Sequence, residues 1–180
     1  AFYSTLEERA WARRTAQRWG KRNILWSLAG SSVHKVWPHL DTVIAGIMLE
    51  YPDTHVVLVG DDFSRILEKG WEKEPRVLCR SGIWTIRESL AFAQVADVVI
   101  GSETGVLNAV GFDDVQKIVC LSHSSVNNLT RDWKNTISLT PEATPCYPCH
   151  KMHYNFDHCH QDEATGVAKC QADISPDLMW

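Results

Sequence analysis

The chain has 180 residues, of which 44% are apolar and 22% are charged, proportions that are ordinary for one globular domain. Its formal net charge is −4, which argues against a nucleic-acid partner held by overall positive charge. No apolar run approaches the roughly 20 residues of a membrane-spanning helix, and the first residues lack the apolar stretch of a signal peptide. We therefore expect a cytoplasmic protein, or one peripheral at the inner face of a membrane.

Residues 1–22 are predicted to form a basic helix. A capping-box pattern over Ser4-Thr5-Leu6-Glu7 begins it and Gly20 ends it, so the predicted helix runs from residue 5 to residue 19. Arginines dominate its polar positions. Such a helix packs on the body of the protein, docks another domain or lies on anionic lipid.

Short apolar runs alternate with helical patterns over residues 23–140. Strands are predicted at 23–28, 55–60, 76–79, 97–101, 116–121 and 136–139, and helices at 38–51, 61–70, 85–96 and 104–110. The strands lack strict polar alternation, which is typical of a parallel sheet covered on both faces. We predict a doubly wound, mostly parallel, Rossmann-like α/β domain at 23–140, followed by a Cys/His-rich tail at 141–180 that packs on it.

The first polar loop at the predicted ligand-binding edge of this sheet covers residues 30–38. Ser31, Ser32 and Lys35 precede a helix there, a combination suited to binding a phosphate. The loop matches neither the Walker pattern nor the G-x-G-x-x-G fingerprint, which disfavours ATP hydrolysis and NAD binding. The alternative is a solvated turn with an incidental lysine.

A second polar loop, at residues 101–108, contains Glu103, Thr104 and Gly105. Gly105 would let a ligand approach the backbone, and Glu103 could accept hydrogen bonds from sugar hydroxyls. The alternative is that Glu103 and Thr104 cap the following helix. The Ser122-His123 loop lacks the G-x-S-x-G pattern of a hydrolase, so we interpret it as pocket lining or an ordinary turn.

Together these stretches resemble a known family. A Gly-Ser-Ser loop followed by Lys35, a Val-Leu-Val-Gly run ending at Gly60, and a Glu-Thr-Gly-x-x-Asn stretch from Glu103 to Asn108 resemble the donor-binding half of the lipopolysaccharide heptosyltransferases, glycosyltransferase family nine. The resemblance extends from residue 23 to residue 148. Members of that family have two Rossmann-like halves in the GT-B arrangement, and this chain is long enough for the second half only.

The resemblance implies an inverting, metal-independent sugar transfer from a nucleotide diphosphate, with ADP-heptose favoured, to a glycan or lipid-linked acceptor. No cofactor is required for that transfer. The general base belongs to the acceptor-binding half that precedes the donor half in the family. That missing half is the expected partner of this chain, and we expect no turnover by the chain alone.

The resemblance also implies roles for individual residues. Ser31, Ser32 and Lys35 would hold the diphosphate, and Glu103, Thr104 and Gly105 would lie against it and the sugar. Asp61 or Asp62 would lie near the nucleoside, and Trp84 beside the adenine. The predicted donor-binding residues are Ser31, Ser32, Lys35, Asp61, Trp84, Glu103, Thr104, Gly105 and Asn108.

One departure from the family concerns the second loop. Family members usually carry an Asp-x-Gly-x-x-His pattern where this chain has Glu103 and Asn108. Asparagine cannot become a cation or shuttle a proton near neutral pH, so the sugar or nucleotide can differ from ADP-heptose. Two rival functions therefore stay open: a GT-B-type nucleotide-sugar epimerase, and a non-catalytic binding module stabilised by zinc.

The zinc hypothesis concerns the tail. Four of the six cysteines, Cys146, Cys149, Cys159 and Cys170, lie there among several histidines. The Cys146–Cys149 spacing is typical of zinc sites, whereas the spacing of the other two is not. In a reducing cytosol clustered thiols favour a structural zinc ion, and disulfides or free thiols are the alternatives.

Overall fold

The computed structural model describes residues 1–30, 32–151, 153 and 155–180. The strands are β1 (Arg22–Ser27), β2 (Thr54–Val59), β3 (Val77–Cys79), β4 (Val98–Ser102), β5 (Gln116–Cys120) and β6 (Thr136–Leu139). The helices are α1 (Leu6–Trp19), α2 (Leu40–Glu50), α3 (Ile86–Ala93), α4 (Gly105–Val110) and α5 (Lys169–Ala172). Shorter 3-10 turns occupy Val33–Lys35, Phe63–Glu68 and Pro176–Met179, and a π-helical turn occupies Val126–Thr130. None of the helices in these ranges is long and apolar enough to span a bilayer.

The strands form one parallel sheet in the order β3-β2-β1-β4-β5-β6. Strand β1 is central: Ile24 is in register with Val56 of β2 on one side and with Val98 of β4 on the other. The chain winds outward from β1 to β3 and then crosses back to β4. This arrangement confirms the predicted doubly wound, Rossmann-like fold class.

Apolar layers cover both faces of the sheet, as successive side chains of its strands point in opposite directions. Leu25 of β1 packs in the layer that contains α1, α3 and α4, where Phe92 and Leu107 are fully buried. Its neighbour Trp26 packs on the opposite face with α2 and with Ile174 of the tail. Both faces are therefore buried, which explains why the strand sequences lack polar alternation.

Helix α1 begins one residue later than predicted. Its capping box is formed by Thr5 and Glu8 and not by Ser4 and Glu7: Thr5 N donates to Glu8 Oε2 at 2.7 Å, and Glu8 N donates to Thr5 Oγ1 at 3.1 Å. This phase lets Glu8 also accept a hydrogen bond from Arg87 of α3 at 2.9 Å. The Arg87 hydrogen bond is the largest cause that lowers the pKa of Glu8, to about 2.

The predicted helix at 61–70 is also shorter in the structure, where only the 3-10 turn Phe63–Glu68 forms. Asp61 Oδ1 accepts from Ser64 N at 2.9 Å, and the buried Glu68 accepts from Ser81 N at 2.9 Å. These side-chain hydrogen bonds hold the turn against the loop after β3. They compete with the backbone hydrogen bonds that would continue the turn as an α-helix.

The tail packs along the loops that follow β1. Trp37 Nε1 donates to the Ile174 carbonyl at 3.0 Å, and the His34 ring bonds the Asn155 carbonyl at 3.0 Å. Within the tail, Asp173 accepts from Thr144 Oγ1 at 2.9 Å. The cysteine-containing segment is therefore placed over the edge of the sheet at which β1 ends.

An aromatic cluster joins α1 to α3. Trp84 stacks on Trp19 with ring centroids 5.8 Å apart and meets the edge of Trp11 at 5.2 Å. Phe92 of α3 contacts both Trp19 and Trp84. The basic helix is thus attached to the domain by its tryptophan-bearing face.

Phe92→Ala is expected to lower the free energy of unfolding by about 3–5 kcal/mol, because Phe92 is fully buried and its removal leaves a cavity in this cluster. Phe63→Ala is the matched control: Phe63 is 87% exposed, and its loss is expected to change stability by no more than about 0.5 kcal/mol. Urea denaturation of the three proteins measures both effects. Equal losses would contradict the packing described.

Candidate functional site

The candidate site lies where the winding of the sheet reverses, between the adjacent strands β1 and β4. Loops that leave the carboxyl ends of two such strands diverge and form a crevice in which ligands bind. Here Lys35 Nζ donates to the Glu103 carbonyl at 2.8 Å, and Ser102 Oγ donates to the Lys35 carbonyl at 2.8 Å. Ser27 Oγ also donates to Thr104 Oγ1 at 2.9 Å. The two loops predicted from the sequence are therefore brought together.

A cavity of about 340 Å³ opens beside these contacts. Ser32, His34 and Lys35 line it from the loop after β1, and Ser122 and His123 line it from the loop after β5. Cysteines and histidines of the tail line its remaining wall. Its size is within the range of small-molecule sites, about 300–1,000 Å³.

The loop after β1 is shaped by hydrogen bonds of its own. Ser32 Oγ accepts from His34 N at 3.3 Å and lies 3.0 Å from His34 Nδ1. Burial is the largest cause that lowers the pKa of His34, which favours its neutral ring. Lys35 uses one ammonium proton on Glu103 and keeps two further donors, so it can still bind an anion. Ser31, also predicted to hold the diphosphate, lies outside the described residues.

Glu103 is buried, with only 3% of its side chain exposed. Its carboxylate accepts from Ser122 N at 3.1 Å, Ser124 N at 2.8 Å and Ser122 Oγ at 2.5 Å, and it lies 2.5 Å from His123 Nδ1. Burial is the largest influence and raises its pKa, but the hydrogen bonds from His123, Ser122 and Ser124 outweigh it and hold the pKa below the ordinary value. The carboxylate is thus ionised, and its oxygens are occupied by hydrogen bonds from within the protein.

The remaining residues of the second loop differ in exposure. Thr104 is buried and its side chain makes no capping bond to α4, whereas Gly105 and Asn108 are exposed. A side chain at Gly105 would meet no atom within 4 Å, so the backbone there is open to a ligand. Asn108 Nδ2 donates to the Thr104 carbonyl at 2.9 Å, which steadies the first turn of α4.

Asp61 and Trp84 do not line this cavity, although Asp61 lines a second one together with Gly30 and Ser32 of the loop after β1. Asp61 Oδ1 bonds both the backbone and the hydroxyl of Ser64, as a turn-capping residue does. Trp84 packs its ring against Trp11, Trp19 and Phe92. Both side chains have partners within the protein, and their predicted contacts with a nucleoside stay predictions.

The pairing of His123 with Glu103 is the contact that sequence reasoning missed. One signal was present, because His123 directly follows a predicted strand; the pairing also requires that this strand, β5, lie beside β4, the strand that precedes Glu103. The sequence does not reveal that neighbour relation, because β4 could equally have paired with other strands.

All six cysteines, each within the described ranges, are free thiols. Cys146, Cys149, Cys159 and Cys170 line the same cavity. Burial is the largest cause that raises the pKa of Cys170, to about 12, and the other three thiols add to it. Nowhere in residues 1–30, 32–151, 153 and 155–180 do three His, Cys, Asp or Glu side chains stand in a metal-holding arrangement. Zinc at these thiols therefore stays a prediction.

The strand order, the closed faces and the crevice at the reversal point define a Rossmann-like α/β domain of the kind that forms one half of a GT-B glycosyltransferase. The E. coli ADP-heptose LPS heptosyltransferase II shares this fold, with a TM-score of 0.69 and 11% identity over 99% of this chain and 50% of that one. A glycosyltransferase of family 9 from Veillonella parvula DSM 2008 has a TM-score of 0.65 and 13% identity over 79% of this chain and 43% of that one.

At these identities the likeness establishes the fold, and it confirms the fold that the sequence resemblance implied. The chain spans about half the length of either enzyme. No protein-family model matches the sequence, and no curated protein matches it.

Glu103→Gln is expected to lower the free energy of unfolding at pH 7 by about 1.5–3 kcal/mol, the scale of hydrogen bonds to a charged group. Because its pKa is lower folded than unfolded, the carboxylate stabilises the fold above the ordinary value of 4.5, and this contribution is lost as the pH falls through the folded value. The stability difference between the two proteins should shrink accordingly in denaturation curves taken from pH 7 to pH 3. The exposed Glu142→Gln is the control, and an equal effect there would contradict the assignment.

Thiol labelling followed by mass spectrometry tests the tail. In metal-free protein the exposed Cys146 should react first, and Cys120 should react only on unfolding, because burial raises its pKa to about 12. Added zinc should protect Cys146, Cys149, Cys159 and Cys170 together if they bind it. Unchanged labelling would contradict the zinc hypothesis and leave free thiols.

Proposed function

We propose that the chain is the donor-binding half of an inverting glycosyltransferase that takes a sugar from a nucleotide diphosphate. The observation that carries this proposal is the Lys35–Glu103 hydrogen bond at the reversal point, since it places a cation with free donors beside a small-molecule cavity. The shared fold with two glycosyltransferases supports it. An ADP-linked, heptose-like sugar is the favoured donor, because the E. coli enzyme is named as an ADP-heptose transferase.

In this proposal Lys35 binds the diphosphate. When the sugar–oxygen bond breaks, the leaving diphosphate gains negative charge, and a fixed ammonium group stabilises that charge more strongly than it stabilises the bound donor. Ser32 supplies a hydroxyl, and Gly105 leaves room for the sugar at the start of α4. No metal ion is required for this arrangement to work.

We propose a different part for Glu103. Its carboxylate is nearly saturated by the loop after β5, so it is poorly placed to accept from sugar hydroxyls. We assign it instead to holding that loop against the cavity. The proposal does not depend on a nucleoside contact from Trp84, whose ring packs against three other aromatic rings.

Transfer itself would need the other half of such an enzyme. The chain covers about half the length of the two glycosyltransferases, and the proposed acceptor, a glycan or a lipopolysaccharide-type lipid, would bind to the half that it does not cover. We therefore expect this domain to bind the donor nucleotide without turning it over.

Calorimetric titration with ADP, UDP, GDP and CDP, without metal, tests the proposal. Selective binding of one nucleotide is expected, and Lys35→Ala should weaken it by about 1–3 kcal/mol, the scale of a lost charge-assisted hydrogen bond. Lys21→Ala is the matched control, because Lys21 pairs with Asp53 before β1 begins, at the opposite edge of the sheet.

Absence of binding by any nucleotide in folded protein would count against the donor site in this domain. Binding that Lys35→Ala leaves unchanged would remove Lys35 from it. An epimerase would share the binding result but not depend on an acceptor, so turnover with the second half added, with and without a glycan, separates the two enzymes.

A further inference from the structure

His123 is held by the buried carboxylate of Glu103. Its Nδ1 lies 2.5 Å from Glu103 Oε2, and an ionised carboxylate only accepts hydrogen bonds, so Nδ1 carries a proton. The Glu103 side chain is 3% exposed, whereas that of His123 is 28% exposed. The Nδ1 edge of the ring thus faces inward, and the opposite edge, which carries Nε2, is the part left to face the cavity that His123 lines.

Glu103 also links His123 to Lys35. Its backbone carbonyl accepts a hydrogen bond from Lys35 Nζ at 2.8 Å, while its carboxylate accepts one from His123 Nδ1. Both nitrogen-bearing side chains line the cavity of about 340 Å³ together with Ser32. Two groups that can carry positive charge are therefore held by one residue, and both line the cavity.

The net charge of these three groups decides what they attract. The Glu103 carboxylate cancels the Lys35 ammonium, so the trio has no net charge while the His123 ring is neutral. A protonated ring makes the net charge positive. A nearby anion favours the protonated form, since an opposite charge stabilises the charged state of a titratable group.

We propose that His123 is a second diphosphate-binding residue of the donor site, and that Glu103 is its positioning residue. The imidazolium donates Nε2–H to a phosphate oxygen next to the one bound by Lys35. Glu103 fixes the ring orientation and supports its positive charge, as carboxylates paired with histidine do. This inference rests on the proposed donor function.

Several other titratable groups face the same cavity. They are His34, Tyr147, Lys151, His153, His158, His160 and the four tail cysteines. The backbone carbonyl of His123 accepts from His150 N at 2.8 Å, which brings the start of the tail close to the ring. A pH curve of the wild-type protein therefore contains several contributions, and the difference between wild type and a His123 variant isolates this ring.

The test measures metal-free pyrophosphate and ADP binding to the full chain from pH 5.5 to pH 8.5. His123→Gln keeps a neutral amide donor but cannot take a positive charge, so at the acidic end we expect about tenfold weaker binding than wild type. The gap should close as the pH rises, because only wild type loses a charge. His55→Gln, in β2 near its amino end, is the control.

Glu103→Gln should flatten the same pH dependence, because the ring loses the carboxylate that supports its charge. The double variant Glu103→Gln/His123→Gln removes both members of the pair and so leaves no unpaired buried charge, and, like His123→Gln, it should lack the part of the pH dependence that the ring supplies. Thermal unfolding of each variant verifies the fold. This pair of variants keeps the test decisive if one of them alone unfolds.

Equal affinities of wild type and His123→Gln across the pH range, with Lys35→Ala still weakened, would overturn the assignment of His123 and leave the donor site standing. A gap that does not change with pH would also overturn it, since a purely structural loss has no reason to follow protonation. No binding of either ligand to wild type would overturn the donor function and this inference together.

Discussion

The parallel pairing of β1 with β4 is the constraint on which the rest of the structure depends. It joins Ile24 to Val98 and Ser27 to Gly101, and so brings the loop bearing Lys35 within hydrogen-bonding distance of Glu103. Glycine at position 101 is part of this pairing, because a Cβ there would lie 2.5 Å from the Ser27 carbonyl oxygen. The crevice exists because β2 and β3 lie on one side of β1, whereas β4, β5 and β6 lie on the other, so the loops after β1 and β4 diverge.

A buried carboxylate organises the polar side of that crevice. Removing Glu103 from water is costly unless its oxygens are satisfied, and the loop after β5 satisfies them with three backbone N–H groups, a hydroxyl and an imidazole. The same residue accepts from Lys35 through its backbone. Three loops from three adjacent strands are therefore tied to one residue, and the buried charge of that residue holds the loop after β5 beside the cavity.

Much of the fold could be predicted from the sequence, because the strands are apolar runs whose ends are marked by polar or glycine residues. Strand β6 lies at the predicted residues, and Lys35 lines the predicted edge. What could not be predicted are contacts between elements that lie far apart in the sequence, because local sequence patterns do not reveal them. The cap of α1 lies at Thr5, where Glu8 can also bond Arg87 of another helix, and the contacts of Trp84 with α1 likewise could not be predicted from local sequence. The partners of Glu103 depend on β5 lying beside β4.

The order of the strands also sets when the crevice can exist during synthesis. Strand β1 is synthesised before β4. One of its edges therefore stays unpaired until β4 has been made and Ile100 can pair with Trp26. Until then its exposed backbone groups are a template for pairing with other chains. Contacts so distant in sequence form slowly, and parallel sheets are among the slower topologies. A ribosome-bound chain that ends before β4 thus exposes this edge, and the pairing that covers it is the same pairing that brings Glu103 to Lys35.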